Sequence, residues 1–352
     1  MKVAVSCDAL MARDHVTSVV EMVLALYEDA EIYTIVHQAG RILGPVEQRK
    51  IHSTYLTNVI DDPVAFGKSW WKKAHLIPGA CRNLYVPCSV DLLINISSGF
   101  SQGISCCKGV YQITYLVENI FNKYKAQGFF QKIFRSYVDS WAEKSMATAN
   151  ELWVTCEKDF EFWNQRHPQV RVMSPFFKAS DFPLFPEATR KAFPNDFFAV
   201  DAESFDQSSA SELIEVLKSK NLKFKFVGND FHLTPLKRNQ EDSIFFGSRC
   251  SGELAPFLAA SRGFISGQKF GFPTRALEAL SVGTPVWIPE SSEAHHFING
   301  PGVYKGLSLE ELSQTFSEME GTEPRKLHGQ TTKFHDLKFK AELKRRVDSL
   351  KL

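Results

Sequence analysis

The stretch from Gly263 to Ile288 restricts the fold more than any other part of the chain. It reads as a short apolar strand over Gly263–Ser266, a loop holding Gly267 and Gly271, a helix from Thr274 to Val282, and a second apolar strand over Pro285–Ile288. Pro273 before the helix and Gly283 after it fit the expected start and stop: proline tolerates the first turn, and glycine accepts the turn that ends a helix. A strand–loop–helix–strand unit of this kind belongs to an α/β sheet. A glycine-bearing loop that feeds a helix N-terminus leaves backbone N–H groups aimed outward, a setting that suits an anion such as a diphosphate. Thr274 and Glu278 are four residues apart and share one helix face above that end. A carboxylate there does not bind phosphate, but it can accept two hydrogen bonds from a neighbouring ribose diol.

The start of the chain carries the same signal. Lys2–Ser6 reads as a buried strand, His15–Glu28 as a helix with Val16, Val19, Val20, Val23, Leu24 and Tyr27 at helical spacing, and Glu31–Val36 as a second strand. This βαβ opening marks a doubly wound sheet. At 352 residues there is room for two such domains. Ser174–Pro186, rich in proline and phenylalanine, reads as a stiff linker between them. A formal net charge of +1 argues against nucleic acid as a partner. The seven cysteines show no paired ligand spacing, so they are expected to be buried thiols in a reducing, cytoplasmic setting. No apolar run is long enough to span a membrane.

Other segments then fall into place. Asp91–Ile96 and Val110–Val117 are expected strands, the first ending at Ser97-Ser98-Gly99 and the second followed by Glu118. Glu118 and His15 are the candidate acid–base groups, and Asp14 and Ser98 are further polar candidates at the ends of these elements. Phe197–Val200 and Leu222–Val227 are further strands, the latter ending in Gly228-Asn229; Gly247 and Arg249 follow a third. Lys68, Trp70, Trp71, Lys72 and Lys73 form a basic-aromatic group suited to a membrane interface, and Phe121–Tyr137 is a second stretch of that composition. No Asp-x-Asp pair is present, so neither a metal nor any other cofactor is expected.

Phe270 to Val286 resembles the signature of glycosyltransferase family 4, retaining nucleotide-sugar enzymes of the GT-B fold. That signature runs Glu-Gly-Phe-Pro-Asn-x-x-Leu-Glu-Ala-x-x-x-Gly-x-Pro-Val. Gly271, Phe272, Pro273, Leu277, Glu278, Ala279, Gly283, Pro285 and Val286 match in register. The opening residues through Leu56 are similar to the lipopolysaccharide and exopolysaccharide mannosyltransferases of that family. The resemblance implies two Rossmann-like α/β domains facing across a cleft. An acceptor domain would span 1–178, with Asp14 and Ser98 on the acceptor side, a nucleotide-sugar domain 179–335, and a C-terminal helix in 336–352 would pack back on the first. It implies a nucleotide sugar held by Glu278, Gly271, Phe272, Pro273, Thr274, Arg275, Gly228, Asn229, Gly247 and Arg249. The acceptor would be a glycan or a lipid-linked sugar in cell-surface polysaccharide synthesis, at the inner face of the membrane, with a second glycosyltransferase as a partner.

The chain also departs from the family pattern. Phe270 stands where the first signature glutamate would contact the donor sugar, and Val117 stands at a histidine position. Gly99 and Gln102 replace a histidine and a lysine, and Met11–Val16 lacks the usual glycine pair. The loop after Phe197–Val200 normally carries an arginine and a lysine for the diphosphate; here Asp201-Ala-Glu-Ser-Phe-Asp-Gln207 has three acids and no cation. Three carboxylates repel a diphosphate. Three readings follow: a glycosyltransferase, a degenerate relative that keeps the fold and serves as a binding or scaffold subunit, or a membrane-bound adaptor that uses the Trp70–Lys73 surface.

Overall fold

The apolar runs sort into two large parallel sheets, one in each unit. A computed structural model of the chain describes residues 1–60, 70, 73–118, 129–194, 196–238, 240–241, 244–319, 321–350 and 352. Contacts divide them into one unit of Met1–Ser174 with Lys340–Leu352 and another of Pro175–Phe339.

The strands of the first unit are β1 (Val3–Leu10), β2 (Glu31–His37), β3 (Ile51–Ser53), β4 (Tyr85–Val86), β5 (Leu92–Ser97), β6 (Ser105–Cys106), β7 (Tyr111–Leu116), β8 (Glu151–Val154) and β9 (Val170–Val172). Seven of them form one sheet in the order β3-β2-β1-β5-β7-β8-β9, and β4 pairs with β6 apart from it. The helices are α1 (His15–Leu24), α2 (Ile77–Asn83), α3 (Phe129–Met146) and α4 (Glu157–Trp163). All eight residues of β1 are buried, as the sheet's interior position requires. The strand runs four residues beyond its expected end at Ser6, because Cys7, Ala9 and Leu10 stay in register with Thr34, Val36 and His37 of β2. Asp14 caps α1: its carboxylate accepts the Thr17 N–H at 2.8 Å.

In the second unit the strands are β10 (Phe197–Asp201), β11 (Lys223–Val227), β12 (Phe245–Gly247), β13 (Gly263–Ile265), β14 (Val286–Pro289) and β15 (Val303–Gly306). They lie in the order β12-β11-β10-β13-β14-β15. The helices are α5 (Glu187–Lys191), α6 (Gln207–Ser219), α7 (Thr234–Lys237), α8 (Ser251–Ala259), α9 (Thr274–Ser281), α10 (Leu309–Met319) and α11 (Pro324–Thr331); α12 (Asp336–Asp348) starts in this unit and from Lys340 belongs to the first. Phe198, Phe226, Trp287 and Phe316 are among the large members of a core that lies between this sheet and its helices. In each unit the first strand has its sequence neighbour on one side and a later strand on the other: β1 between β2 and β5, β10 between β11 and β13. Strand order reverses at those two places, and open α/β sheets bind ligands at the carboxyl ends there.

The proline- and phenylalanine-rich segment is not a bare linker. Phe176, Phe177 and Phe182 are buried in the second unit, and the Phe176 ring lies 4.6 Å from that of Phe339. The cysteine expectation also needs correction: Cys88 and Cys107 are joined by a disulfide beside the β4–β6 pair. Their positions 19 apart in sequence gave no spacing signal. Among the described residues, no helix is long and apolar enough to cross a membrane.

Gly283 ends α9 with a φ of +84°. A Cβ there would come within 2.6 Å of Arg190 Nη1 and 2.7 Å of Pro324 Cβ. The Arg190 guanidinium donates to the carbonyls of Val282 and Gly283, so it covers the helix's C-terminal end. Gly283→Ala meets both backbone strain and this guanidinium, and is expected to destabilise the second unit by about 1–3 kcal/mol. A thermal melt that matches the wild type would show that the turn relaxes around the added methyl group.

Candidate functional site

The carboxyl ends of three neighbouring strands of the second unit supply one charged cluster. β10 ends on Asp201, which is 4% exposed; β13 is followed by Ser266 and Gly267, and β11 by Gly228 and Asn229. Ser266 Oγ donates to Asp201 Oδ2 at 3.2 Å, and the Glu203 N–H donates to Oδ1 at 3.3 Å. The two loops meet at Gly267. Its N–H donates to Ser204 Oγ at 2.8 Å, and a Cβ there would lie 2.8 Å from the Phe205 ring. α9 brings Arg275 and Glu278 to the same place. Arg275 Nη1 donates to Glu278 Oε2 at 2.9 Å, and Nη2 lies 3.8 Å from Glu203 Oε1.

Burial controls the charge of this group. It pushes Glu278, 8% exposed, up to about 7, although Arg275 pulls in the opposite direction. Burial likewise pushes Asp201 up to about 6, helped by the nearby Glu203 carboxylate. For Arg275, burial favours proton loss, yet Glu278 and Glu203 outweigh it and hold the guanidinium charged. One permanent cation therefore stands among three carboxyl groups, two of which titrate close to neutrality. Among the described residues, no three His, Cys, Asp or Glu side chains form a metal-holding group.

The glycine loop is tied inward more than its sequence led us to expect. The Gly271 N–H donates to Glu293 Oε2 at 3.3 Å, and the Thr274 N–H to the Phe272 carbonyl at 3.0 Å. Gln268 Nε2 donates to the carbonyls of Phe270 and Phe272. Those two loop donors are thus engaged within the chain and do not aim outward. The Phe272 ring packs edge-on against Phe297 at 5.3 Å and Phe334 at 5.4 Å, and so anchors the loop; Pro273 is buried beneath it. Phe270 is 36% exposed. The Gly228 N–H donates to the Gly247 carbonyl at 3.1 Å and the Asn229 N–H to Glu203 Oε1 at 2.9 Å. Arg249 is exposed and lies over the Phe246 ring, 4.5 Å from its centroid, with no part in the cluster.

In the first unit, the turn after β5 is held by Asp8. This carboxylate is 1% exposed and accepts the N–H groups of Ser98, Phe100 and Ser101, the last two at 2.9 and 2.7 Å. Ser98, expected on the acceptor side, is buried and fixed through its backbone. Gln102 joins Ser97 and Gly99 in a closed hydrogen-bonded knot, with Ser97 Oγ donating to Gln102 Oε1 at 2.5 Å and Gln102 Nε2 to the Gly99 carbonyl at 2.5 Å. The Asp14 carboxylate is used as the cap of α1. His15 is half-buried at that helix start, and desolvation pushes it down to about 4, so it is neutral at physiological pH. Glu118 follows β7 and is half-buried.

No known protein-family profile matches the chain, and no curated protein sequence matches it. Solved structures do. Sucrose-phosphate synthase from Thermosynechococcus elongatus superposes with a TM-score of 0.72 at 12% identity, over 99% of both chains. Anabaena HepE in complex with UDP-glucose gives 0.69 at 12% identity, over 99% of this chain and all (100%) of that one. The lipopolysaccharide outer core galactosyltransferase WaaB gives 0.63 at 13% identity over 99% of each. The chain has the GT-B fold.

Within this fold, one group of candidates has to be corrected. Trp70 does not face a membrane: it is 1% exposed and stacks on Phe100, ring centroids 6.2 Å apart, in the core of the first unit. Lys73 is half-buried, with its ammonium donating to the Val59 carbonyl. Lys68, Trp71 and Lys72 lie outside the described residues. Sequence reasoning also missed roles. Asp8 had a signal, a lone charge inside a run of apolar strand residues; Glu203 was visible only as one acid among three.

Proposed function

We propose that this chain is a retaining glycosyltransferase of the family 4 type, which moves a sugar from a nucleoside-diphosphate donor to a glycan or lipid-linked acceptor in cell-surface polysaccharide synthesis. The observation that carries this reading is Glu278, one turn into α9 at the carboxyl end of a parallel sheet, held by Arg275 beside the strand-order reversal. Glu278 would accept the ribose hydroxyls, and Arg275 would stabilise the charge that develops on the departing diphosphate. The structures of HepE with UDP and UDP-glucose make UDP-glucose the first donor to test; the mannosyltransferase resemblance makes GDP-mannose the second. A lipid-linked acceptor would hold the chain at the inner face of a membrane, alongside a partner enzyme.

Calorimetric titration with UDP-glucose and GDP-mannose, run beside a sugar-release assay, tests the proposal. Binding with turnover is expected. Glu278→Ala removes two charge-assisted hydrogen bonds and is expected to weaken donor binding by a factor on the order of 100. Unchanged affinity in that variant would mean the ribose lies elsewhere. One feature favours the degenerate reading: Arg275 already touches two carboxylates. Donor binding without turnover would decide for it.

A further inference from the structure

Glu203 sits where a phosphate would be recognised. Its Oε1 accepts the Asn229 N–H at 2.9 Å and lies 3.8 Å from Arg275 Nη2. The turn that offers this N–H contains Gly228 with a φ of +107°. A Cβ on Gly228 would come within 3.1 Å of Glu203 Oε1 and 3.3 Å of its Cγ, so the carboxylate lies directly against the turn. A backbone N–H in a left-handed turn and an arginine fork are the donors proteins set around phosphate oxygens. Here one carboxylate oxygen lies within reach of both.

We propose that Glu203 is a built-in occupant of the donor-phosphate position, whose carboxylate holds the Asn229 N–H and Arg275 until a diphosphate displaces it. This rests on the reading of Glu278 and Arg275 as a donor site. The Glu203 side chain is 49% exposed, and an ion pair at that exposure contributes little, so it can swing into solvent at small cost. Two consequences follow. The site binds phosphorylated donors more weakly than its donors allow, since each must displace an anion and tolerate its charge nearby. Arg275 also stays oriented when no donor is bound, because Glu278 and Glu203 hold it from two sides.

The test is titration of UDP, GDP, uridine and guanosine into the wild type, Glu203→Gln, and Glu203→Gln combined with Arg275→Ala. The glutamine keeps an acceptor for the Asn229 N–H and removes the charge. Diphosphate affinity is expected to rise about tenfold in Glu203→Gln, with less gain at high salt, while nucleoside affinity stays the same. The gain is expected to vanish when Arg275 is also removed. If nucleotides bind but Glu203→Gln leaves UDP and GDP unchanged or weaker, the displaced-anion idea is wrong and the donor site stands. If none of the three proteins binds any nucleoside or nucleotide, the donor-site reading falls and this inference falls with it. Matched melting curves for the wild type and Glu203→Gln would confirm that the comparison is between folded proteins.

Discussion

Replacing Asp8 by alanine is expected to destabilise the first unit by about 3–5 kcal/mol and to loosen the turn after β5, one of the largest single-residue effects in this chain. Three N–H groups, of Ser98, Phe100 and Ser101, converge on this one carboxylate, which no water-exposed group can replace. Burial pushes Asp8 up to about 6 against the pull of those donors, so at neutral pH it is ionised and is a strong acceptor. Alanine leaves the three donors with nothing to bind, and each unmet donor costs about 1–3 kcal/mol. Asp8→Asn keeps one carbonyl oxygen but turns an NH2 group toward N–H donors, so it should fall between wild type and alanine. Hydrogen exchange at residues 98, 100 and 101 checks this directly, because their amides should lose protection before the strand centres do. Protection equal to the wild type would mean that the turn is held by the Ser97–Gln102 knot and not by Asp8.

The framework was legible in the sequence for a simple reason. Apolar runs bounded by glycine and proline can be little else in an α/β protein, so Gly263–Ser266 and Thr274–Val282 were expected close to the observed Gly263–Ile265 and Thr274–Ser281. The same logic gave Glu31–Val36 against Glu31–His37. The site was less legible, because hydrogen-bond donors are shared out in three dimensions. Glu203 meets Asn229 and Arg275 across strands, and no local spacing reveals that its carboxylate takes the turn's N–H. The inward use of the Gly271 and Thr274 donors likewise depends on Glu293 and on the path of the Phe272 backbone. Trp70 shows a third kind of limit. Tryptophan beside lysine suits a lipid interface or a helix with one buried face, and only the Phe100 ring against it decides for the core.

Glu151→Ala is expected to cost as much as the Asp8 change, about 3–5 kcal/mol, and to release the last part of α12. The Glu151 side chain is 2% exposed and carries a full set of partners. Arg346 donates to it twice, at 2.8 and 3.2 Å, Trp153 Nε1 at 2.9 Å and the Tyr111 hydroxyl at 3.1 Å, while Arg171 lies 3.4 Å away. Burial works to raise its pKa, but Trp153, Arg346 and Tyr111 together hold it below the ordinary glutamate value of 4.5. The folded state therefore binds fewer protons than the unfolded chain just below that value. The stability this group gives is complete above pH 4.5 and is lost as pH falls through the folded pKa. Arg346→Ala leaves the carboxylate with its other partners, so its loss at neutral pH should be smaller than that of Glu151→Ala. It also removes the closest charge, so the folded pKa rises and acid unfolding should begin at higher pH than in the wild type. Trp153 fluorescence follows both transitions, and an acid midpoint unmoved by Arg346→Ala would show that Arg171 and the two neutral donors suffice. The pair also predicts an asymmetry. Glu151→Leu combined with Arg346→Met replaces the ion pair by apolar side chains of similar size, and should recover part of the stability that Glu151→Ala loses, because Arg346 is then not left without its partner, while Trp153 Nε1 and the Tyr111 hydroxyl still lose their acceptor.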